Sequence, residues 1–370
     1  MVGPTVWAEI SLPRLRNNFR AIRQLIGPHV QVMAVVKANG YGHGAEDVAR
    51  VLGAEGAEWF GVTCAAQGVR LRAAGVRRPV LLLGGFWPGE EEALLEQDLT
   101  PVVFTLDQLE LLENLGRKRA RRIPFHLKVD TGMGRLGLAA AEVPALIRAL
   151  ESCSHAEMQG LCTHFASADA PSLDSTREQA ALFACVQKEF ERHGIRPTHV
   201  HLANSAALAR CPDARGTIVR PGLALYGYQQ VPSPLAVEPV LTLKSRIISI
   251  RRMPGGSALG YGGAYVTPAD AVIASVAAGY ADGVNRGLSN RGRALVRGRA
   301  APIVGRVSME LTALDVTGVP EARVGDEVVF IGRQGGQVIA ADEVADCSST
   351  ICYEILCNIG ARVHRLYVED

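Results

Sequence analysis

Apolar and polar positions along this chain follow two periods. Residues 12–26, LPRLRNNFRAIRQLI, repeat apolar side chains at helical spacing and predict a helix. Shortly after it, Met33-Ala34-Val35-Val36 is an unbroken apolar run with the length and β-branched content of a buried parallel strand. Strand-like runs then recur at 31–37, 58–63, 79–84, 100–104, 123–129, 157–164, 198–203 and 217–220. Helix-like runs fall between them at 44–54, 65–74, 90–97, 107–115, 141–152 and 175–193. This is the rhythm of an α/β chain closing into a (β/α)8 TIM-like barrel. The rival is a doubly wound open sheet, but Gly40, Gly42 and Gly44 have the wrong spacing for its Gly-x-Gly-x-x-Gly fingerprint. After Tyr228 the texture changes: QQVPSPLAVEP is a proline-bearing connection, and the short apolar runs beyond it are punctuated by glycine. The expected division is a barrel over 1–235 followed by a C-terminal mainly β domain over 236–370, with ADEVADCSSTICYEILC as a place for a helix near the end.

Composition narrows the function classes. Thirty-nine Lys and Arg against 37 Asp and Glu leave a formal charge of +2, which argues against a general nucleic-acid or membrane-surface binder. The basic cluster of Arg286, Arg291, Arg293, Arg297 and Arg299 has no interleaved aromatic residues for stacking on bases. Eight cysteines lie scattered without a Cys-x-x-Cys pair, as expected of reduced thiols in a cytoplasmic protein. The opening MVGPTVWAEISLPRLRNN meets charge too soon for a signal peptide, and no run reaches the roughly 20 apolar residues of a membrane helix.

The candidate chemistry gathers at strand ends. Lys37, Arg135, His164, Asn204 and Arg220 each fall at or just after the carboxyl end of a different strand candidate, the face where such barrels hold their sites. A lysine there can lose its charge by desolvation and form an imine with an aldehyde; it can also simply snorkel out of the strand. His164 reads either as a core histidine or as a working imidazole, and Lys128 either as an ion-pair partner of Asp130 or as part of the site. His199 and His201 point the same way on a strand, yet no further metal ligands lie at the right spacing. Tyr261, between glycines, has the look of a turn residue, and Met309 of core filler.

The string AVVKANGYGHG resembles the pyridoxal-phosphate lysine signature of the alanine racemase family. The similarity continues through HLKVDTGMGRLG, CTHFASAD, HLANSAA, VRPGLALYG, GYGGAY, GYADG and PIVGRVSME, in the family's order, from residue 5 to about 368. The resemblance implies pyridoxal 5'-phosphate (PLP) bound through Lys37, and interconversion of L- and D-alanine by two bases, Lys37 and the Tyr261 of a partner subunit in a homodimer with shared active sites. It makes His164, Arg220 and His201 a hydrogen-bonded chain behind that tyrosine, and gives Arg220 the pyridine nitrogen. It assigns Tyr41, Asn204, Ser205, Gly222 and Leu223 to the cofactor cradle. Arg135 would serve the ring hydroxyl and the substrate carboxylate, with Lys128 orienting it, while Met309 would also meet the substrate. Asp169, Arg286 and Arg306 would line the corridor to the site.

Two positions depart from the family's pattern. The tyrosine usual before Arg-Val near the end is Ala361 here, and Glu310 stands where aspartate is usual. Loss of the Ala361-site phenol is expected to weaken PLP retention and to widen substrate use, serine being the first candidate after alanine. A PLP-carrying barrel protein without catalysis is the alternative from another class.

Overall fold

The computed structural model describes residues 5–369. All eight expected strands form and run parallel, in the order Ile218–Val219, Gln31–Val35, Trp59–Val62, Val80–Leu82, Leu99–Val103, Ile123–Asp130, Ala156–Cys162, His199–His201. Thr217 N–H donates to Val200 O at 2.7 Å and Arg220 N–H to Ala203 O at 2.9 Å, so the last strand meets the first and the sheet curls into a barrel. Met33, Trp59, Leu81, Val102 and Ile218, one from each of five strands, pack together as an apolar cluster. The expected helix at 12–26 is Leu12–Ile26, with Leu15, Phe19, Ile22 and Ile26 on its buried stripe.

The chain divides into two compact units. The barrel unit holds Leu15–Gly40 and Ala45–Glu238; the other holds the described residues through Arg14, Tyr41–Gly44 and the described residues from Pro239 on. The second unit is mainly strand, as expected, but it draws on the N-terminus too. Val6–Ser11 pairs antiparallel with Leu241–Met253 and parallel with His364–Val368, lying inside that sheet. The expected division at 235/236 therefore misses one strand, because VWAEIS is short and abuts a strong helix signal. The stretch 340–357 supplies two helices, Ala341–Ser348 and Cys352–Cys357.

The segment after the first barrel strand has unusual backbone. Ala38, Asn39 and Gly40 take φ/ψ of 51/48, 55/44 and 61/42, and Tyr41 has φ 52, so Lys37 opens a left-handed turn. L-residues in this region cost roughly 1–2 kcal/mol each, and consecutive ones are rare. At Gly42, φ is +81 and a Cβ would lie 2.1 Å from Leu356 O, so both conformation and space demand glycine.

One carboxylate ties a helix to a strand that carries site residues. Glu113, on the helix Leu106–Arg119, accepts hydrogen bonds from the N–H groups of Ser154 (3.1 Å), His155 (2.8 Å) and Ala156 (2.9 Å), just where Ala156–Cys162 begins. Burial alone would raise its pKa, but these donors and the His155 ring hold it down to about 2. A folded-state value below the unfolded one stabilises the fold above pH ~4.5, and that contribution disappears as pH falls toward 2. Glu113→Gln is expected to cost about 2 kcal/mol at neutral pH. In urea denaturation, the gap to the parent protein should close as pH is lowered through that window.

Candidate active site

The carboxyl ends of the barrel strands gather a cationic and imidazole cluster. Arg220, following Ile218–Val219, is 6 % exposed, and no carboxylate lies within ion-pair distance of it among the described residues. Its Nη1 donates to His201 Nδ1 at 2.7 Å and to His201 O at 2.6 Å. Its Nη2 donates to Thr163 O at 2.7 Å and Leu202 O at 2.9 Å, with His164 Nδ1 at 3.4 Å. Arg220 is thus a buried guanidinium held by carbonyl and imidazole lone pairs. Its four terminal N–H groups are committed, whereas Nε–H meets no acceptor among the described residues.

His164 follows Ala156–Cys162, and its pKa is lowered to about 2 by burial and then by the charges of Arg220, Lys128, Arg135 and Lys37. It is a neutral imidazole across the physiological range. Because arginine only donates, His164 Nδ1 accepts and its proton sits on Nε2. His201 is lowered well below its usual value, first by burial and then by Arg220.

Lys128 is buried and makes no ion pair with Asp130. The Asp130 carboxylate instead accepts from the N–H groups of Gly132, Met133 and Gly134, each at 2.9 Å, and so shapes the loop that carries exposed Arg135. Burial lowers the Lys128 pKa; Cys162 pulls it back, Arg220 and Arg135 lower it further, and Asp130 gives the smallest opposing pull.

Asn204 caps the helix Ser205–Arg210 by accepting from Ala207 N–H at 3.0 Å. Ser205 Oγ accepts from Gly222 N–H (2.9 Å) and Ala224 N–H (3.2 Å), which leaves its own hydrogen to donate to an anion and ties Asn204-Ser205 to the Gly222-Leu223 turn. Asp169 rides on a loop whose carbonyls at Ala168, Ala170 and Pro171 are gripped by the Arg210 guanidinium. Lys37 is half-buried at the head of the left-handed turn.

The remaining expected residues belong to the second unit. Tyr41 is buried, its phenol pushed above its usual pKa by burial and then by Tyr353 and Cys357, and its ring lies 6.0 Å from that of Tyr353. Tyr261 is 71 % exposed in the turn Tyr261–Gly263, and Met309 is 58 % exposed. Both line a groove of about 670 Å³ with Ser308, Glu310, Asp282 and Arg362. Tyr261 thus lies in a turn with its ring uncovered, and Met309 is not core filler. Arg306 stands beside the Tyr261 turn, its guanidinium carbon 3.8 Å from the Cβ position at Gly262. Arg286 borders a second groove with Tyr280, Asn285 and Asn358.

Glu310, which the sequence alone left unexplained, bonds Arg362 Nη1 at 2.5 Å, while Asp282 takes the same guanidinium at 2.7 and 3.1 Å. The residue beside Ala361 is therefore clamped. Sequence reasoning missed His126, which meets His201 Nε2 at 2.8 Å. Its signal was the period of two in His126-Leu127-Lys128-Val129-Asp130, three polar side chains on one face of a barrel strand. Among the described residues no helix is long and apolar enough to cross a membrane, and no cluster of three or more His, Cys, Asp or Glu could hold a metal ion.

The profile of the alanine racemase N-terminal domain matches residues 10–230, and that of the alanine racemase C-terminal domain matches 240–367. The chain is 44 % identical to the alanine racemase of Sorangium cellulosum over 98 % of both chains, and 43 % identical to that of Symbiobacterium thermophilum over 98 % of this chain and 96 % of the other. The Bacillus anthracis alanine racemase with bound L-Ala-P superposes with a TM-score of 0.94 at 34 % identity, covering 100 % of this chain and 96 % of that one. The Bartonella henselae enzyme with covalently bound pyridoxal phosphate gives 0.89 at 30 % identity, over 99 % and 100 %.

Proposed function

This chain belongs to the alanine racemase family, and from that premise we propose that it is a PLP-dependent racemase interconverting L- and D-alanine with Lys37 and Tyr261 of the partner subunit as opposing bases. The observation that carries the reading is Arg220: a buried guanidinium with every terminal N–H engaged and Nε–H alone uncommitted. That donor fits an aromatic ring nitrogen. The Ser205 hydroxyl, which accepts two backbone donors from the Gly222-Leu223 turn and retains its hydrogen, fits a phosphate. When bound, PLP acts as an electron sink that acidifies the Cα–H of an attached amino acid.

The protein's share is to place proton carriers on the two faces of that carbon. Lys37 would hold the cofactor, and its amine carries the proton on the face that serves the D-enantiomer. The opposite face needs a phenol able to give up its proton, and the neutral His164 has its Nε2–H available to bond the phenolate. Arg220 would hydrogen-bond the ring nitrogen without giving up its proton, an arrangement that would leave that nitrogen largely unprotonated and would favour return of the proton to Cα over transamination. Arg135 holds the substrate carboxylate, aided by Lys128 behind it and by Met309 of the partner subunit, and Asp169, Arg286 and Arg306 line the approach.

Exposure of Tyr261 and Met309 around an open groove supports a homodimer in which each β unit completes its neighbour's site. All eight cysteines are free thiols, which supports a cytoplasmic location. The decisive test follows solvent deuterium into Cα of L- and D-alanine. Exchange with inversion is expected; exchange without inversion removes the second base, and no exchange leaves only a PLP carrier.

Ala361 favours a second reading, a racemase of broader range that also accepts serine. It is exposed, and no phenol stands at that position. Ala361→Tyr is expected to tighten PLP retention about tenfold or more, since a hydrogen bond to a phosphate dianion is worth roughly 1.5–3 kcal/mol. It should also lower the serine-to-alanine ratio of kcat/KM. Unchanged values in both assays would reject this role for Ala361.

A further inference from the structure

We propose that His126, on the barrel floor, is a positioning residue that locks His201 in its Nε2–H tautomer and thereby holds Arg220 in place. The proposal deepens the racemase reading and rests on it for its effect on turnover, though not for the tautomer itself.

The argument is one of donors and acceptors. Arg220 Nη1 can only donate, so His201 Nδ1, 2.7 Å away, must present a lone pair and its proton must reside on Nε2. His201 Nε2 lies 2.8 Å from His126 Nδ1, which must therefore accept. The proton of His126 is then forced onto Nε2, and that atom is buried without a partner. A buried N–H left unpaired is costly, so a chain of donors normally ends on an acceptor or in water. Here it ends on an orphan. If His126 took the other tautomer, two N–H groups would face each other across 2.8 Å; if His201 did, its Nδ1–H would oppose the guanidinium.

The surroundings hold the His126 ring in the accepting pose. Gly160, its neighbour on the next strand, has no Cβ, and one placed there would lie 2.4 Å from His126 Cγ and 2.5 Å from Nδ1. His199 stacks on the ring at 5.5 Å between centroids and Trp59 lies tilted at 5.2 Å. Burial, then His199 and Arg220, pushes the His126 pKa down to about 3, so the ring stays neutral and keeps one nitrogen lone pair to offer. The titratable and charged groups that face it are His199, His201 and Arg220, and His199 and Arg220 both oppose a positive charge on it.

The test uses the PLP-loaded protein labelled with 15N in its imidazoles, plus two ways of removing the acceptor. His126→Leu deletes it, and Gly160→Ala displaces the ring while leaving His126 intact. His126→Asn restores an acceptor at the place of Nδ1. In the parent protein the His201 15N shifts are expected to report an Nε2–H imidazole; an Nδ1–H signal there overturns the proposal whether or not any variant folds. His126→Leu and Gly160→Ala are expected to shift His201 toward a mixture of tautomers and to lower kcat about tenfold, with KM for alanine nearly unchanged. His126→Asn should recover kcat to within about threefold of the parent. A loss of thermal stability shared by all three variants, with the His201 tautomer and kcat unmoved in the Leu variant, would reduce His126 to packing. Should the protein prove not to be a racemase, the tautomer measurements still decide this proposal.

Discussion

Two variants that are each inactive, Lys37→Ala and Tyr261→Phe, are expected to regain activity when their subunits are mixed. Removing either base should lower kcat by about two to four orders of magnitude, the usual contribution of a positioned proton carrier. In a symmetric dimer whose sites combine Lys37 of one copy with Tyr261 of the other, a mixed dimer holds one site with both bases and one with neither. Random re-pairing of equal amounts makes half the dimers mixed, so about a quarter of the parental activity should return. Subunits that each carry a whole site would recover nothing on mixing. Tyr261 is well placed for such sharing, since its ring is largely uncovered.

The second large effect is expected at Arg220. Arg220→Ala strips the donors from Thr163 O, His201 O, Leu202 O and His201 Nδ1 at once, and should destabilise the fold by about 3–5 kcal/mol in denaturant titration. Arg220→Lys separates structure from chemistry. An ammonium has three donors without a planar fork, so it can satisfy part of that set and recover much of the stability. It cannot also present the Nε–H, and kcat is expected to fall by at least ~100-fold, as when one preorganised donor is lost from a reacting centre. A Lys variant as active as the parent would show that the fork geometry is irrelevant to turnover.

Much of the barrel was legible because its strands are buried on both faces and stand out as apolar runs, and because the helices between them keep the helical period. The positions of Lys37, His164, Asn204 and Arg220 after successive strands follow from that reading alone. Their partners do not. His201 to His126 spans 75 positions in the chain, and Arg220 to Thr163 O spans 57; contacts between strands, and contacts to backbone carbonyls, leave no local pattern. Asp130 misled for a similar reason. Two residues from Lys128 it invites an ion pair, yet three loop N–H groups claim it first. Ala38 gave no hint that the left-handed conformation begins with it. Glu310 became intelligible only beside Arg362.

The strand Val6–Ser11 precedes both of its sheet neighbours in the chain, Leu241–Met253 by more than two hundred residues and His364–Val368 by more than three hundred. During translation the barrel strands can all have emerged while this slot in the other sheet is still vacant on both sides. The early segment must wait through more than two hundred residues with its backbone donors and acceptors unsatisfied by protein, a window in which a holding factor or a wrong edge could capture it.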